Sequence, residues 1–347
     1  MREHPMPALS RRLSAAALLA ATGLLSACQS EVLNPAGDIA LQQRDIIYIS
    51  TALMLVIIVP VIVLIVVFAW RYRAGNNATY DPHFDHSTSL ELVIWAAPLL
   101  IIICLGALTW WSTHLLDPFR PVNRISASKA ADPKAKPLVI QVVSLDWKWL
   151  FIYPEQGIAT VGELTLPVDR PVRFDLTSPN MMNTFYAPTL AGMIYTMPGM
   201  RSTMHAVLNK PGVYEGYSAN YSGAGFSNMR FKLYGVDQAG FDGWVARVKA
   251  SGLALDTARY LELEKPSEKV PAMYFAGADP TLFDRIFRRC VKPGTPCMSG
   301  MHGGGQPEKG KPEGALMKDA DDKGSGESLT PPPGAQASPA PHSHQER

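Results

Sequence analysis

Between Ile46 and Trp70 the chain carries no charged residue, and Ile, Val and Leu dominate. Roughly 20 apolar residues span a bilayer core as a helix, so this run predicts a membrane span. Pro60 lies inside it, which membrane helices tolerate. Arg71 and Arg73 follow at once, beside the interfacial residues Trp70 and Tyr72. A basic pair at a helix end predicts the cytoplasmic side. A second run, Leu92–Leu116, returns the chain outward and carries Trp110 and Trp111 near its far end. Two such runs joined by the polar Ala74–Leu90 predict a helical hairpin, which excludes a purely soluble fold. His83 and His86 in the connection read as solvated loop residues, and Cys104 as an inert side chain facing lipid or a helix.

Residues 1–27 read as an export signal. Arg2, Arg11 and Arg12 precede a short apolar stretch, Leu13–Leu25. Leu25-Ser26-Ala27-Cys28 resembles a bacterial lipobox, which implies lipidation of Cys28, palmitate included. The mature chain is then expected to start at Cys28 on the outer face of the cytoplasmic membrane. Net charge is +2 over 347 residues, which makes no case for nucleic-acid binding.

Asp117–Pro137 holds four prolines and reads as an exposed linker. After it come short β-like runs: Leu138–Val143, Trp147–Tyr153, Gly162–Leu166, Val172–Ser178, Asn183–Ala187, Ser202–Leu208, Val213–Ala219 and Met229–Val236. Regularly spaced short strands of this kind predict a Greek-key sandwich over 138–236. Phe241–Ala250 and Pro280–Arg289 show helical apolar spacing and predict a helical extension over 237–300. Cys290 and Cys297 could pair in an exported region, and the sequence leaves that open. From 301 onward the composition predicts disorder.

The loop between the last two sandwich strands carries the most specific signal. Tyr217-Ser218-Ala219-Asn220-Tyr221-Ser222-Gly223-Ala224-Gly225-Phe226-Ser227-Asn228-Met229 resembles the copper loop of cytochrome oxidase subunit II, Cys-x-x-x-Cys-Gly-x-x-His-x-x-Met. Aligned on Gly223, the cysteines fall on Ser218 and Ser222 and the histidine on Phe226. The upstream family histidine falls on Asn183, in Asn183-Thr184-Phe185. Only Met229 is retained. Copper needs soft sulfur and imidazole nitrogen, so a lone thioether is not expected to bind metal, and Met229 reads as core packing. A loop of retained length without its ligands resembles subunit II of a cytochrome bo-type ubiquinol oxidase.

That resemblance covers about residues 28–290. It implies a membrane-anchored all-β chain: a two-helix transmembrane hairpin, a cupredoxin-like Greek-key sandwich and a small C-terminal helical extension. It implies a non-catalytic subunit II of a terminal quinol oxidase in the bacterial inner membrane, multi-pass, with its C-terminal domain on the periplasmic face. Haems and catalytic copper are expected in subunit I, and no cofactor in this chain. Expected partners are subunit I, subunits III and IV, membrane lipid, and quinol at the level of the complex. Glu91, in Glu91-Leu92-Val93-Ile94-Trp95-Ala96-Ala97-Pro98, resembles the glutamate at the mouth of a proton path into subunit I. Read from the residues alone, it is equally an interfacial acid favoured by a helix N-terminus.

Asp146-Trp147-Lys148-Trp149 resembles the Gln-Trp-Tyr-Trp strand of the copper-bearing relatives. Trp147 and Trp149, two apart, are expected to share a face and pack against the membrane subunit. Met193, Met197 and Met200 read as core or interface packing, and His205 as a hydrogen-bonded strand residue. Two other functions fit less of the chain. A copper-bearing subunit II of cytochrome c oxidase needs ligands this loop lacks. A standalone lipoprotein with a partner-binding sandwich leaves the hairpin and the Glu91 motif unexplained.

Overall fold

The computed structural model describes residues 31–298, apart from 77, 80–82, 85 and 133. The predicted signal, Cys28 and the tail with His302, His342 and His344 lie outside the described residues.

Helix α1 runs Asp38–Arg71 and α2 runs Thr88–Leu115, side by side. Both are long and apolar enough to cross a membrane. α1 starts eight residues earlier than the apolar run. Hydropathy marks only the lipid-exposed turns, while Asp38–Asp45 forms polar turns outside that run. Most side chains of the apolar runs are exposed, as Val56, Ile65, Leu92 and Trp95 illustrate, and so need lipid or neighbouring helices.

The start of α1 is built into the folded domain. Backbone N–H groups of Ala36 and Gly37 donate to the Thr189 carbonyl at 3.0 and 2.8 Å, and Asn209 N–H donates to Ala36 O at 2.8 Å. A Cβ at Gly37 would sit 2.5 Å from the Leu190 carbonyl oxygen, so the close approach requires glycine. Asp38 is buried and accepts a bidentate pair from Arg124, at 2.7 and 3.1 Å. Arg124 opens β1 (Arg124–Ser126), which pairs with β2 (Lys129–Ala130), so part of the proline-rich linker is an ordered hairpin.

Two sheets form the sandwich. One contains β3 (Leu138–Leu145), β4 (Lys148–Tyr153), β5 (Ile158–Val161), β7 (Val172–Thr177), β10 (Ser202–Ala206) and β14 (Met273–Phe275). The other contains β6 (Glu163–Pro167), β8 (Asn183–Tyr186), β9 (Ile194–Thr196), β11 (Gly212–Ser218) and β12 (Arg230–Val236). Their orders are β10-β7-β3-β4-β5-β14 and β6-β12-β11-β8-β9. β3 pairs parallel with β7, and β6 with β12, whereas the other neighbours are antiparallel. Trp149, Phe151, Phe174, Phe185 and Phe231 fill the space between the sheets. Phe185 and Phe231 stack at 5.3 Å, and Trp149 meets both edge-on.

The six-stranded sheet is buried on its other face too. Helix α3 (Gln238–Lys249), β13 (Ala254–Leu255), α4 (Thr257–Glu264), β15 (Gly277–Ala278) and α5 (Leu282–Phe287) complete the chain. Tyr260, Leu282, Phe283 and Ile286 pack on Val143, Leu145, Leu150 and Ile152. Each such buried side chain contributes about 1.5–3 kcal/mol, which is why β4 reads as a continuous apolar run. Asp237 caps α3 by accepting from Gly240 N–H, and Asp256 caps α4 by accepting from Arg259 N–H, each at 2.8 Å. Cys290 and Cys297 form a disulfide behind α5.

Candidate functional site

β11 ends at Ser218, the chain loops through Gly225, turns once at Phe226–Asn228, and re-enters β12 after Met229. Ser218 N–H closes the loop on the Met229 carbonyl at 3.0 Å. β8 pairs with β11, with Phe185 opposite Ser218, so Asn183 arrives beside the loop. The Ser218 hydroxyl donates to Asn183 Oδ1 at 3.2 Å, with the Asn220 carbonyl at 3.3 Å as a second acceptor. Asn183 donates to the Met181 carbonyl at 3.4 Å. Asn183, Ser218 and Met229 are all buried. Thus three of the five positions aligned to metal ligands meet at one place, and two of them hydrogen-bond to each other. Phe226 is half-buried with its ring 5.7 Å from Tyr221. Among the described residues no group of three or more His, Cys, Asp or Glu could hold a metal.

Ser222 is buried, and its hydroxyl has no hydrogen-bond partner. An orphan buried hydroxyl costs about 1–3 kcal/mol relative to a paired one. Ser222→Ala is therefore expected to stabilise the domain by about 1 kcal/mol, or roughly 2–4 °C in Tm for a domain of this size. Differential scanning fluorimetry reads this directly, and a lower Tm would show that the hydroxyl has a partner.

Trp147 lies against this loop, but not as predicted. It occupies the two-residue turn between β3 and β4 with φ 66°, in the left-handed region that a bulky side chain rarely adopts. Trp147 is partly buried and packs on the same inter-sheet core as Trp149. Trp149 is fully buried in the sandwich and unavailable to a membrane partner. Trp147 Nε1 donates to the Ser222 carbonyl at 3.0 Å. A Cβ on Gly225 would lie 2.4 Å from the indole, so glycine there lets the loop backbone lie on the ring.

The C-terminal extension closes the same corner. Lys148 Nζ is buried and donates to the Lys265 carbonyl at 2.8 Å and to Ser267 Oγ at 2.5 Å. Burial lowers the pKa of this amine, and Asp146 pulls the other way. Asn228 donates to Glu268 at 3.2 Å. Residues 265–268 thus strap the loop from outside, a contact that strand and helix periodicity could not reveal.

Glu91 lies in the first turn of α2. Its Oε1 is 2.7 Å from His86 Nδ1, and His86 Nε2 is 3.2 Å from Thr88 Oγ1. His86 is therefore not simply a solvated loop residue. Its position five residues before Glu91, just ahead of the helix start, was the available signal. Asp38 with Arg124 was also missed, because it joins residues 86 apart. His205 N–H donates to the Pro118 carbonyl at 3.0 Å, and burial lowers its imidazole pKa. Met193 is exposed and so is not core packing.

Comparison with known proteins gives the same reading. Residues 157–236 match the family of cytochrome c oxidase subunit II periplasmic domains, and 249–294 match the COX aromatic-rich motif. The cytochrome bo(3) ubiquinol oxidase subunit 2 of Pseudomonas aeruginosa is 48% identical over 78% of this chain and 80% of its own length. The Pseudomonas putida protein of the same name is 49% identical over 76% and 81%. The ubiquinol oxidase subunit 2 of Acetobacter aceti is 44% identical over 76% and 83%. Among solved structures, the periplasmic domain of subunit II of the Bradyrhizobium japonicum cytochrome oxidase superposes with a TM-score of 0.33 at 22% identity, over 34% of this chain and 97% of that domain. With nearly half its residues shared over four-fifths of a relative's length, the chain belongs to the ubiquinol oxidase subunit II family.

Proposed function

We propose that this chain is the non-catalytic subunit II of a terminal quinol oxidase, a complex that oxidises ubiquinol, reduces oxygen to water and moves protons. Haems and catalytic copper reside in subunit I, with subunits III and IV completing the complex. The observation that carries this reading is the filled ligand site: Ser218 bonded to Asn183, with Met229 in the core. A copper-bearing electron relay is disfavoured by the same residues. In this reading the two helices clamp subunit I in a multi-pass arrangement, the sandwich caps it on the periplasmic face, and Cys28 adds a lipid anchor. The domain limits are those read from the sequence, save that β14 of the extension joins the sandwich; the start of α1 is tied to the sandwich through Ala36 and Gly37 and to β1 through Asp38.

Glu91 takes the role of proton collector at the inner mouth of α2, with His86 as its neighbour. Supporting this, a carboxylate at a membrane edge is costly and tends to serve a function. Glu91→Gln is expected to slow quinol-dependent oxygen uptake about three- to tenfold, up to about 1.4 kcal/mol on the barrier, with unchanged haem content. Unchanged turnover at saturating quinol would remove the role.

The complex purified through a tag on this chain tests the whole reading. It is expected to show b- and o-type haem bands and quinol-dependent oxygen uptake, without the near-infrared band of a thiolate-bridged copper pair. A colourless preparation would favour a standalone lipoprotein.

A further inference from the structure

A crevice of about 410 Å³ opens between α3 and the β6–β12 edge, and neither Glu91 nor any residue of the 218–229 loop lines it. Its size falls in the range of roughly 300–1,000 Å³ typical of small-molecule sites. Glu163 and Thr165, two apart on β6, share the face turned to it, and Trp244 and Arg247 of α3 line the other wall.

Two observations indicate that the protein alone does not satisfy this crevice. Thr165 is 1% exposed, yet its hydroxyl has no hydrogen-bond partner. Glu163 and Arg247 carry opposite charges in one cavity, and among the described residues neither forms an ion pair, with the other or with anything else. Each Glu163 oxygen already accepts one phenol, Tyr274 at 2.6 Å and Tyr234 at 3.4 Å, which fixes the carboxylate in place. Burial and the bond to Glu163 push the Tyr274 hydroxyl up to about 12, so it remains a donor at neutral pH. A carboxylate oriented by two donors still has lone pairs free for a cationic group. Arg247 offers a planar fork to a carboxylate or phosphate. Trp244 supplies an aromatic wall.

We propose that this crevice binds a small zwitterion, its ammonium on Glu163, its anionic group on Arg247 and a polar atom on the Thr165 hydroxyl. A pure anion would leave the Glu163 charge without a cationic partner, and a pure cation would leave Arg247 without an anionic one. Two sources carry the required chemistry: a phosphoethanolamine lipid headgroup and a free amino acid.

Isothermal titration on the detergent-purified complex tests this with glycerophosphoethanolamine and L-phenylalanine, alongside ethanolamine and inorganic phosphate as single-charge controls. At least one zwitterion is expected to bind saturably, and at least tenfold more tightly than either control. Saturation by glycerophosphoethanolamine alone would identify the lipid source, and by L-phenylalanine alone the free solute. Arg247→Gln changes an exposed side chain and is expected to weaken binding at least tenfold, as is Glu163→Gln. Thr165→Val removes an unpartnered hydroxyl, so it is expected to weaken binding while leaving the unliganded Tm equal or higher. No saturation by either zwitterion at millimolar concentration, or binding unchanged in Arg247→Gln, would overturn the proposal.

Discussion

A chain carrying Asn183→His, Ser218→Cys, Ser222→Cys and Phe226→His is expected to bind copper stoichiometrically and become coloured, where the parent binds none. The argument rests on what the loop has kept. Its length and Gly223, with φ 108°, match the copper-loop pattern, and Met229 remains buried. Asn183 and Ser218 already lie within hydrogen-bonding distance, so a histidine and a cysteine there start as neighbours. The indole of Trp147 and the strap at residues 265–268 hold the loop through Ser222 O, Lys148 and Asn228, hydrogen bonds that involve none of the four substituted side chains. Deprotonated thiolates and imidazoles bind copper far more strongly than hydroxyls and amides do. Binding to such a donor set can contribute on the order of 10 kcal/mol. Elemental analysis and visible to near-infrared absorption after copper addition read the result. Phe226→His alone should leave the protein colourless. A folded quadruple variant that takes up no copper would show that the loop backbone has departed from a metal-holding shape, and the alignment on Gly223 would fail with it.

How far the sequence reaches depends on the range of the interactions involved. The two long apolar helices were legible because a span imposes a long charge-free run, and the sandwich strands because short β-like runs are separated by turn residues. The start of α1 was not, since Asp38–Asp45 is held by contacts to residues 124, 189 and 209 rather than by its own hydropathy. β5, β9 and β14 are only three or four residues long, too few to show a period; β8, equally short, was legible through the Asn183-Thr184-Phe185 resemblance. α4 was missed because its eight residues bury only Tyr260. At the loop, residue identities revealed what had been lost, but not what replaced it. The Ser218–Asn183 bond, the left-handed Trp147 and the Lys148–Ser267 contact each depend on chain segments brought together by the sandwich. Trp149 could not pack against a membrane subunit, because its indole is fully buried between the two sheets.

Arg124→Leu is expected to destabilise the domain by about 3 kcal/mol, and to do so by loosening the start of α1. The Asp38 side chain is 3% exposed, and Arg124, at 37%, supplies both bonds of the bidentate pair. Gln42 donates one further bond to Asp38, at 2.8 Å. Breaking a buried pair by removing one partner typically costs about 3–5 kcal/mol, because the other charge is left without compensation. Two features keep the cost near the lower end: the partial exposure of Arg124, and the N-terminus of α1, whose partial positive charge favours the remaining carboxylate. Asp38→Asn combined with Arg124→Leu removes both charges and is expected to recover at least half of the loss. Thermal unfolding of the two variants and the parent gives the comparison, and limited proteolysis between residues 31 and 45 reports whether α1 has come free. A loss below about 0.5 kcal/mol in Arg124→Leu, the range of ordinary surface substitutions, would show that the backbone bonds at Ala36, Gly37 and Asn209 hold the junction alone. A double variant weaker than the single one would assign Asp38 a further partner beyond Arg124 and Gln42. If the expected order is found, one ion pair fixes where the domain ends and the membrane helix begins. The sandwich then inherits its position above the bilayer directly from α1.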